Sequence, residues 1–311
     1  MEPKDIFLVI DSNSLIHRAY YALPPLTVKD GRVVNAVYGF FSILFKSIKD
    51  INPDYVIATF DVPKPTFRHK KFKDYKAKRV PSPDDLYAQF PLVKEGLDVF
   101  NIIMIEREGF EADDIIGTIC DIIAEKKYGE AVILSGDMDI LQLISPTTKA
   151  CLLQRSIKEF FLYDSEKVKE KYKGLSSNQL IDFKSLRGDP SDNILGVPGI
   201  GEKTAQDLLL KFKTLEGIYK AVDQESESII LTVKKKLVDY RKEAFLSKEL
   251  VTIKRDVDIS RLDLRKNRWG DYDQKKAEDF FMDLNFKSLL KRIEKPKKEN
   301  SSPNNLSLFN D

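Results

Sequence analysis

The sequence has few of the residues that build disulfide frameworks and zinc sites, and it lacks long apolar runs. Its 311 residues include two cysteines, two histidines and one tryptophan. Cys120 and Cys151 are too few for a disulfide framework or a zinc-ligand cluster. The first apolar run, Ile6 to Ile10, is too short for a signal peptide, and no run is long enough to span a membrane. These absences predict a reducing, cytoplasmic setting without a membrane partner.

Net charge is also small, at +2, but the charges are segregated along the chain. Residues 64–79 hold a single acid, Asp74, among eight basic residues: Lys64, Arg68, Lys70, Lys71, Lys73, Lys76, Lys78 and Arg79. Acids gather in short groups elsewhere. A basic strip beside acidic clusters is typical of a protein that holds a polyanion near metal ions.

The first half of the chain alternates between two kinds of apolar pattern. Short continuous runs predict buried strands, at Ile6–Ile10, Tyr55–Phe60, Ile102–Ile105 and Ala131–Ser135. Helical spacing predicts helices between them, at Ala36–Ile48, Pro83–Phe100 and Ala112–Glu125. This alternation predicts an α/β fold, with a mostly parallel central sheet flanked by helices on both faces.

From about Leu175 the pattern becomes helical. Four helical runs follow one another: Ser177–Leu186, Glu202–Phe212, Leu215–Val222 and Ile229–Leu250. We therefore expect an α/β core over 1–174, including the basic segment of about 64–82, and a helical subdomain over 175–293 whose last helices return to the core. Residues 294–311 are rich in lysine, asparagine, serine and proline, which predicts a disordered tail.

Three predicted strands end in an aspartate: Asp11 and Asp61 follow directly, and Asp137 follows after Gly136. Ligands of open parallel sheets bind at the carboxyl ends of the strands. One such aspartate alone would usually be a turn former or a helix cap. Three at equivalent strand ends would repel one another, so a cation is needed to keep them ionised.

Further acids extend this pattern. They are Glu111, Asp113 and Asp114 at the start of the helix Ala112–Glu125, Asp139 beyond Asp137, and the pair Asp189 and Asp192. Acids at a helix start also complement the helix dipole, which explains one such residue more easily than three. Ligation by carboxylates alone favours Mg²⁺ or Mn²⁺ over zinc. Two such ions about 3.5–4 Å apart would suit phosphodiester hydrolysis.

Two other segments suit a nucleic acid. In the basic segment, Phe67, Phe72 and Tyr75 alternate with cations, which suits phosphates and exposed bases, although such a run alone is more often a solvated helix. The glycine-rich turn Gly196–Gly201 precedes the helix Glu202–Phe212. Backbone N–H groups at such a turn can grip a phosphate, and the alternative is a tight interhelical turn.

Six motifs occur together in one order: Leu8–Asp11, Phe60–Asp61, Phe67–Arg79, Glu111–Asp114, Ser135–Asp139 and Gly188–Ala205. With them the chain resembles the bacterial 5′-nuclease family, which comprises the N-terminal nuclease domain of DNA polymerase I and its free-standing relatives and is akin to flap endonucleases. The resemblance extends from about Phe7 to Ile293. It implies a PIN-like nuclease core, a helix-hairpin DNA-binding subdomain, and a structure-specific 5′→3′ exonuclease or flap endonuclease of DNA replication and repair.

The resemblance also implies roles for individual residues. Metal ligands would be Asp11, Asp61, Glu111, Asp113, Asp114, Asp137, Asp139, Asp189 and Asp192. Lys76 and Arg79 would lie near the scissile phosphate, and Arg68 and Tyr75 would belong to a helical arch over the 5′ end. The duplex backbone would meet Gly199, Ile200, Gly201, Glu202, Lys203 and Thr204. A potassium ion would bind main-chain carbonyls of Leu186, Arg187, Leu195, Val197 and Ile200.

The tail contains a second, shorter resemblance. Residues 305–309 resemble the peptide by which bacterial replication proteins bind the sliding clamp, with Leu306, Leu308 and Phe309 as its apolar positions, although five residues also arise by chance. Ser12, Met138 and Leu195 depart from the common family residues, and none of these departures removes a carboxylate. We expect a monomer associated with the nucleoid.

Other functions remain open at this point. A DNA-structure-binding module with a decayed site would be expected to have lost some acids. A phosphatase with Asp11 as nucleophile would need an acid two positions on, where the chain has Asn13. An RNA-cleaving relative would share the same carboxylate core. The balance of exonuclease and flap cleavage is open, as is whether the chain is free-standing or one domain of a polymerase.

Overall fold

The computed structural model describes residues 4–154, 156 and 159–293, and its strands form one six-stranded sheet. They are β1 (Asp5–Asp11), β2 (Tyr55–Phe60), β3 (Ile103–Glu106), β4 (Gly129–Ser135), β5 (Thr148–Leu153) and β6 (Phe160–Tyr163). Their spatial order is β3-β2-β1-β4-β5-β6. The first five strands in that order pair in parallel, and β6 runs antiparallel to β5.

Fourteen α-helices lie within the described residues. Those of the first half are α1 (Ser12–Ala22), α2 (Asn35–Ile51), α3 (Phe67–Lys71), α4 (Asp84–Tyr87), α5 (Phe90–Val99), α6 (Ala112–Glu125) and α7 (Ser165–Lys171). Those of the second half are α8 (Gln179–Arg187), α9 (Glu202–Phe212), α10 (Leu215–Asp223), α11 (Leu231–Asp239), α12 (Arg241–Val251), α13 (Gln274–Asp283) and α14 (Lys287–Leu290).

Both faces of the sheet are covered, as predicted. Successive residues of β1 point to opposite faces, so Leu8 and Ile10 join one apolar cluster while Phe7 and Val9 join the other. Helices α2, α5 and α13 contribute to the first cluster, and α6 contributes to the second. All six residues of β2 are buried, which explains why the central strands are continuous apolar runs.

A third cluster, drawn from helices α8 to α12, includes Phe183, Leu209, Ile218 and Leu237. This is the helical part predicted to follow the α/β core. The last helices do return to the core, where Phe281 of α13 packs on Phe41 of α2. None of the helices in the described part of the chain has the length and apolar character needed to cross a bilayer.

Several elements differ from the prediction. The expected helix Pro83–Phe100 is two helices, because Pro91 lies in the first turn of α5 and cannot donate the hydrogen bond of a continuing helix. The expected helix Ile229–Leu250 is also two, separated at Tyr240, where φ is −116°. Helix α1 and strands β5 and β6 were not predicted. Helix α1 buries only Ser12, Leu15, Ile16 and Ala19, so its apolar stripe is short.

The basic segment does not form a continuous helical arch. Its one α-helix is α3, and turns follow over residues 73–78. Lys76 lies in this stretch with a left-handed φ of 57°, which an α-helix does not accommodate. Prolines at 63, 65, 81 and 83 flank the segment and disfavour helix on either side.

Removing the Phe281 ring would test the attachment of α13 to the core. Phe281 is fully buried, and its ring centroid lies 5.3 Å from that of Phe41 and 5.6 Å from that of Phe100. We expect Phe281→Ala to lower the free energy of unfolding by about 3–5 kcal/mol, because it leaves a cavity. Met282→Ala is the matched control, since Met282 is largely exposed. Similar losses for both variants in urea denaturation would contradict this packing.

Candidate active site

Three aspartates meet at the carboxyl edge of the sheet. Asp11 ends β1, Asp61 follows β2 and Asp137 lies two residues beyond β4. Because β2, β1 and β4 are neighbours and parallel, their carboxyl ends lie side by side. A cleft of about 540 Å³ opens there, lined by all three aspartates together with Glu111, Asp113, Lys76 and Arg79.

Hydrogen bonds fix the strand-end acids. The Asp11 carboxylate accepts from the Ser14 backbone N–H at 3.1 Å and from the Ser135 hydroxyl at 2.6 Å. Ser135 Oγ in turn accepts from the backbone N–H of Asp137 at 2.9 Å. Asp61 Oδ1 accepts from the Ala112 N–H at 2.7 Å, which joins the end of β2 to the start of α6. Backbone donors therefore set the orientation of these acids before any ligand binds.

Helix α6 presents its first acids in two directions. Glu111 is the N-cap, and Asp114 Oδ2 accepts from the Glu111 N–H at 3.0 Å in a capping box. Glu111 and Asp113 line the cleft, whereas Asp114 is fully buried. Adjacent residues of a helix lie about 100° apart around its axis, so neighbouring acids cannot share one direction.

Asp114, expected to be a metal ligand, instead forms a buried ion pair with Arg68. The Arg68 guanidinium donates to both Asp114 oxygens at 2.8 Å, and the Lys254 N–H donates to Oδ1 at 2.8 Å. Arg68 also donates to the carbonyls of Leu250 and Thr252. Burying an ion pair costs solvation energy, which is offset only when its polar groups find hydrogen-bond partners. The polar groups of this pair have such partners. Its partners join the basic segment to α6 and to the end of α12.

Arg68 and Tyr75 were expected to contact DNA from an arch, but both are 3% exposed. The Tyr75 hydroxyl lies 3.1 Å from Glu111 Oε2 and 3.1 Å from Asp192 Oδ2. In this conformation the two side chains hold acids in place and do not offer a surface to a ligand.

Lys76 and Arg79 do line the cleft. Lys76 Nζ donates to Glu111 Oε1 at 2.9 Å, and Arg79 Nη2 donates to Asp192 Oδ1 at 2.6 Å. Burial opposes the charge on Lys76, but the neighbouring Glu111 and Asp192 carboxylates outweigh it and raise the Lys76 pKa. Both side chains therefore remain cationic at the rim of the cleft.

Of the remaining predicted acids, Asp192 lines a small cavity with Glu111, Asp113, Asp137 and Asp139, whereas Asp139 and Asp189 lie around a second cleft. This cleft is about 520 Å³ and is lined by Asp137, Asp139 and Asp189 together with Lys184 and Arg187. Asp137 lines both clefts and so connects the two groups of acids. Asp189 accepts from the N–H and hydroxyl of Ser191, which fixes its rotamer at the start of a short 3₁₀ turn, Pro190–Asp192.

Burial and mutual repulsion perturb the acids of the first cleft. Burial, together with the charges of Asp61 and Asp137, raises the pKa of Asp11 to about 7, although hydrogen bonds from Ser135 and Ser14 oppose this. Burial also raises the pKa of Asp113, and the charges of Asp11 and Asp137 add to it. Asp113 has no hydrogen bond or ion pair with any described residue.

These acids fit a hard divalent ion, although they do not yet enclose one. Within residues 4–154, 156 and 159–293, no three acidic, histidine or cysteine side chains form a ready-made metal site. Glu111, Asp192, Asp139 and Asp189 are each paired with a protein cation instead. An unpartnered carboxylate at Asp113 amid like charges is what a cation would stabilise, and all-oxygen donors favour Mg²⁺ or Mn²⁺.

The glycine-rich turn precedes α9. Gly196 and Gly199 have φ of 65° and 80°, a left-handed conformation that glycine adopts without strain. The Gly196 N–H donates to Ser247 Oγ, and Lys236 Nζ donates to the Gly199 carbonyl at 2.9 Å. No side chain caps the first turn of α9, which begins at Glu202, so its N–H groups have no side-chain acceptor there.

Two of the five carbonyls predicted to bind potassium accept hydrogen bonds from backbone N–H groups of the turn. Leu186 accepts from the Val197 N–H at 2.8 Å, and Val197 accepts from the Ile200 N–H at 2.9 Å. A carbonyl oxygen has a second lone pair, so these bonds leave the potassium site a prediction.

Sequence reasoning missed the cleft-lining face of α1, which consists of Asn13, Ser14, His17, Arg18 and Tyr21. Helical spacing could have found part of it, because positions three and seven beyond Asp11 share its side of a helix. It also missed Lys184. No local signal marks that residue, because its acidic partner Asp139 lies 45 positions away.

Family comparisons agree with this architecture and its two parts. The model of the 5′-3′ exonuclease N-terminal resolvase-like domain matches residues 6–173, and the model of the 5′-3′ exonuclease C-terminal SAM fold matches residues 175–275. The chain belongs to the 5′-3′ exonuclease family. The predicted family and fold class are thereby confirmed.

Curated relatives of this exonuclease family member are bacterial polymerases. The chain is 41% identical over 293 residues to DNA polymerase I of Bacillus subtilis, covering 94% of this chain and 33% of the relative. It is 37% identical over 305 residues to the thermostable DNA polymerase I of Thermus thermophilus, covering 97% of this chain and 35% of the relative. The chain thus spans about one third of the length of these relatives.

Solved structures share the fold at low sequence identity. A mutant T5 5′-exonuclease aligns with a TM-score of 0.61 and 20% identity, covering 94% of this chain and all of that one. The catalytic core of Rad2 in complex with DNA substrate aligns with a TM-score of 0.60 and 18% identity, covering 94% of this chain and 93% of that one.

The neighbours Asp113 and Asp114 should respond differently to substitution. We expect Asp114→Asn to lower the free energy of unfolding by about 3–5 kcal/mol, because it removes the bidentate partner of the buried Arg68 and leaves only Glu111, 3.4 Å away, as a counter-ion. Asp113→Asn should leave stability unchanged or raise it, because it removes repulsion from Asp11 and Asp137. Urea denaturation of the two variants decides this. Equal losses would contradict the assignment of Asp114 to a buried pair.

Proposed function

We propose that this chain hydrolyses phosphodiester bonds of DNA at 5′ ends and 5′ flaps, using divalent ions held by carboxylates. One observation carries the proposal: Asp11, Asp61, Asp113 and Asp137 converge in one cleft without a counter-ion from the described residues, beside the cationic rim of Lys76 and Arg79. Membership of the 5′-3′ exonuclease family supports the direction of attack. DNA replication and repair are the settings that the polymerase relatives suggest.

Mg²⁺ or Mn²⁺ is the proposed cofactor, with two ions. Solved structures of T5 5′-exonuclease are described with bound divalent metal ions, including zinc. Here, one group of ligands would be Asp11, Asp61, Glu111, Asp113 and Asp137, and the other would be Asp139, Asp189 and Asp192. Asp114 is left out because its oxygens serve Arg68 and the backbone. When bound, such ions supply a water that ionises near neutral pH and positive charge for the leaving oxygen.

The protein's own cations would orient the scissile phosphate. Lys76 and Arg79 are bound to Glu111 and Asp192, and an entering phosphodiester offers them anionic oxygens as alternative acceptors. Exchanging a carboxylate partner for a phosphate at the reaction centre would place the positive charge of these side chains where negative charge develops in the transition state. Arg68 and Tyr75 would act indirectly, by fixing Glu111 and the basic segment.

The duplex would bind along the glycine-rich turn. Backbone N–H groups from Gly199 to Thr204 lie at the uncapped start of α9, and Lys203 adds a cation there. Such contacts fix the register on a duplex without reading its sequence. The potassium ion at the neighbouring carbonyls belongs to the same proposal. The Rad2 core solved with DNA substrate and a T5 flap endonuclease complex with DNA support a DNA partner.

Contact with the sliding clamp through Leu306, Leu308 and Phe309 also remains a proposal. These positions lie outside the described residues. A monomer with nucleoid location likewise stays a prediction.

Cleavage of a 5′-labelled flap duplex tests the proposed function. We expect cleavage near the flap junction with Mg²⁺, none with EDTA, and a loss of at least about 10³-fold in rate for Asp137→Ala and for Asp61→Ala. Both variants should keep the wild-type circular dichroism spectrum. Asp239→Ala, which removes an exposed acid that lines neither cleft, should cleave like wild type.

Metal-dependent cleavage that survived either substitution would contradict the site. Tight flap binding without cleavage, in Mg²⁺ and in Mn²⁺, would instead indicate a DNA-structure binder. Cleavage of RNA but not of DNA flaps would favour the RNA-cleaving alternative.

Lys76→Ala separates catalysis from binding. We expect the single-turnover rate to fall by about 10²-fold or more, because a cation at the reacting phosphate is lost. The Kd for the duplex should rise only a fewfold, since one phosphate contact among many contributes little to affinity. Lys76→Arg should retain more of the rate than Lys76→Ala. Equal losses in rate and affinity would make Lys76 a general phosphate contact.

A further inference from the structure

Lys184 lies between two acids that come from different parts of the fold. It projects from α8, and its ammonium donates to Asp139, in the turn after β4, and to Asp189, at the end of the loop that follows α8. The bond to Asp189 Oδ2 is 2.6 Å. The Lys184 side chain is 19% exposed, and it lines the same cleft as Asp137 and Asp139.

The two groups of acids are therefore neutralised differently. Asp11, Asp113 and Asp137 form no ion pair with any residue in the described part of the chain. Asp139 and Asp189 share the single charge of Lys184. An ammonium bridging two carboxylates occupies the place that an oxygen-seeking cation would take between them. Among the described residues, Asp11, Asp113 and Asp137 thus have no protein cation beside them, whereas Asp139 and Asp189 already hold one that is covalently tethered.

We propose that Lys184 stands in for the second divalent ion in the resting protein and must leave Asp139 and Asp189 before that ion binds. The inference rests on the proposed function. The Lys184 ammonium and the divalent ion need the same carboxylate oxygens, so the binding of one excludes the other. The displaced ammonium remains within reach of the cleft, where a substrate phosphate would offer it a new acceptor. Occupancy of the second site would then rise when the substrate arrives.

A similar lysine elsewhere provides a matched control. Lys248 of α12 also bridges two acids, with Nζ 2.7 Å from Asp182 Oδ1 and 2.8 Å from Glu216 Oε1. It lines neither of the two acidic clefts. Losing Lys248 removes a two-acid bridge of the same kind without changing the charge among the proposed ligands.

Mn²⁺ titration without DNA tests the proposal, because it measures occupancy and not turnover. Calorimetry with Mn²⁺ alone, checked by the electron paramagnetic resonance signal of free Mn²⁺, should show one tight and one weaker site in the wild type. In Lys184→Met we expect the second Kd to fall by at least about tenfold, because a competing positive charge is gone. Lys184→Arg should keep the weak second site, and Lys248→Met should match wild type.

The outcomes separate the two proposals. An unchanged or weakened second site in Lys184→Met, with the first site intact, would overturn the role of Lys184 and leave the proposed function standing. No Mn²⁺ binding by any variant, including wild type, would overturn both. Thermal unfolding of each variant shows whether it is folded at the titration temperature. If Lys184→Met is not, Lys184→Gln replaces it and is expected to tighten the second site in the same way.

Discussion

Repulsion among carboxylates at one edge of the sheet is the constraint on which the site depends. Adjacent parallel strands bring Asp11, Asp61 and Asp137 together, and the protein balances the resulting charge unevenly. Some acids accept hydrogen bonds, as Asp11 does from Ser135. Others form ion pairs with lysine or arginine. The Asp113 side chain has neither kind of partner among the described residues, and burial together with the neighbouring carboxylate charges raises its pKa. The uneven balance leaves like charges facing one another, and a bound cation would relieve that repulsion.

The basic segment is joined to this cluster by buried contacts. The Arg68–Asp114 pair fixes it to α6 and α12, and Tyr75 touches Glu111 and Asp192. A fully bonded buried pair contributes more to fixed geometry than to net stability. The consequence is a division along one short stretch of chain. Its buried residues position the acids, whereas Lys76 and Arg79 line the cleft, where we propose that they contact a phosphate.

The proposed activity requires a polyanion to bind beside a cluster of the protein's own negative charge. The side-chain cations at Glu111, Asp192, Asp139 and Asp189 reduce that conflict before substrate and metal arrive. A phosphate can replace a carboxylate beside a protein cation, and a divalent ion can replace that cation beside the carboxylate. Because the two incoming charges are opposite, the partly desolvated cleft is left without a large net charge.

The sequence by itself determined four of the six strands, the family and the edge at which the acids meet. Buried parallel strands are apolar runs, and an acid after such a run lies at the carboxyl edge wherever the strand stands in the sheet. Tertiary structure alone decided which acids face the cleft and which cations meet them. Asp113 and Asp114 are neighbours, yet helical rotation sends one to the cleft and the other to Arg68, 46 positions away. Lys184 meets Asp139 across 45 positions, and no local periodicity encodes so distant a contact.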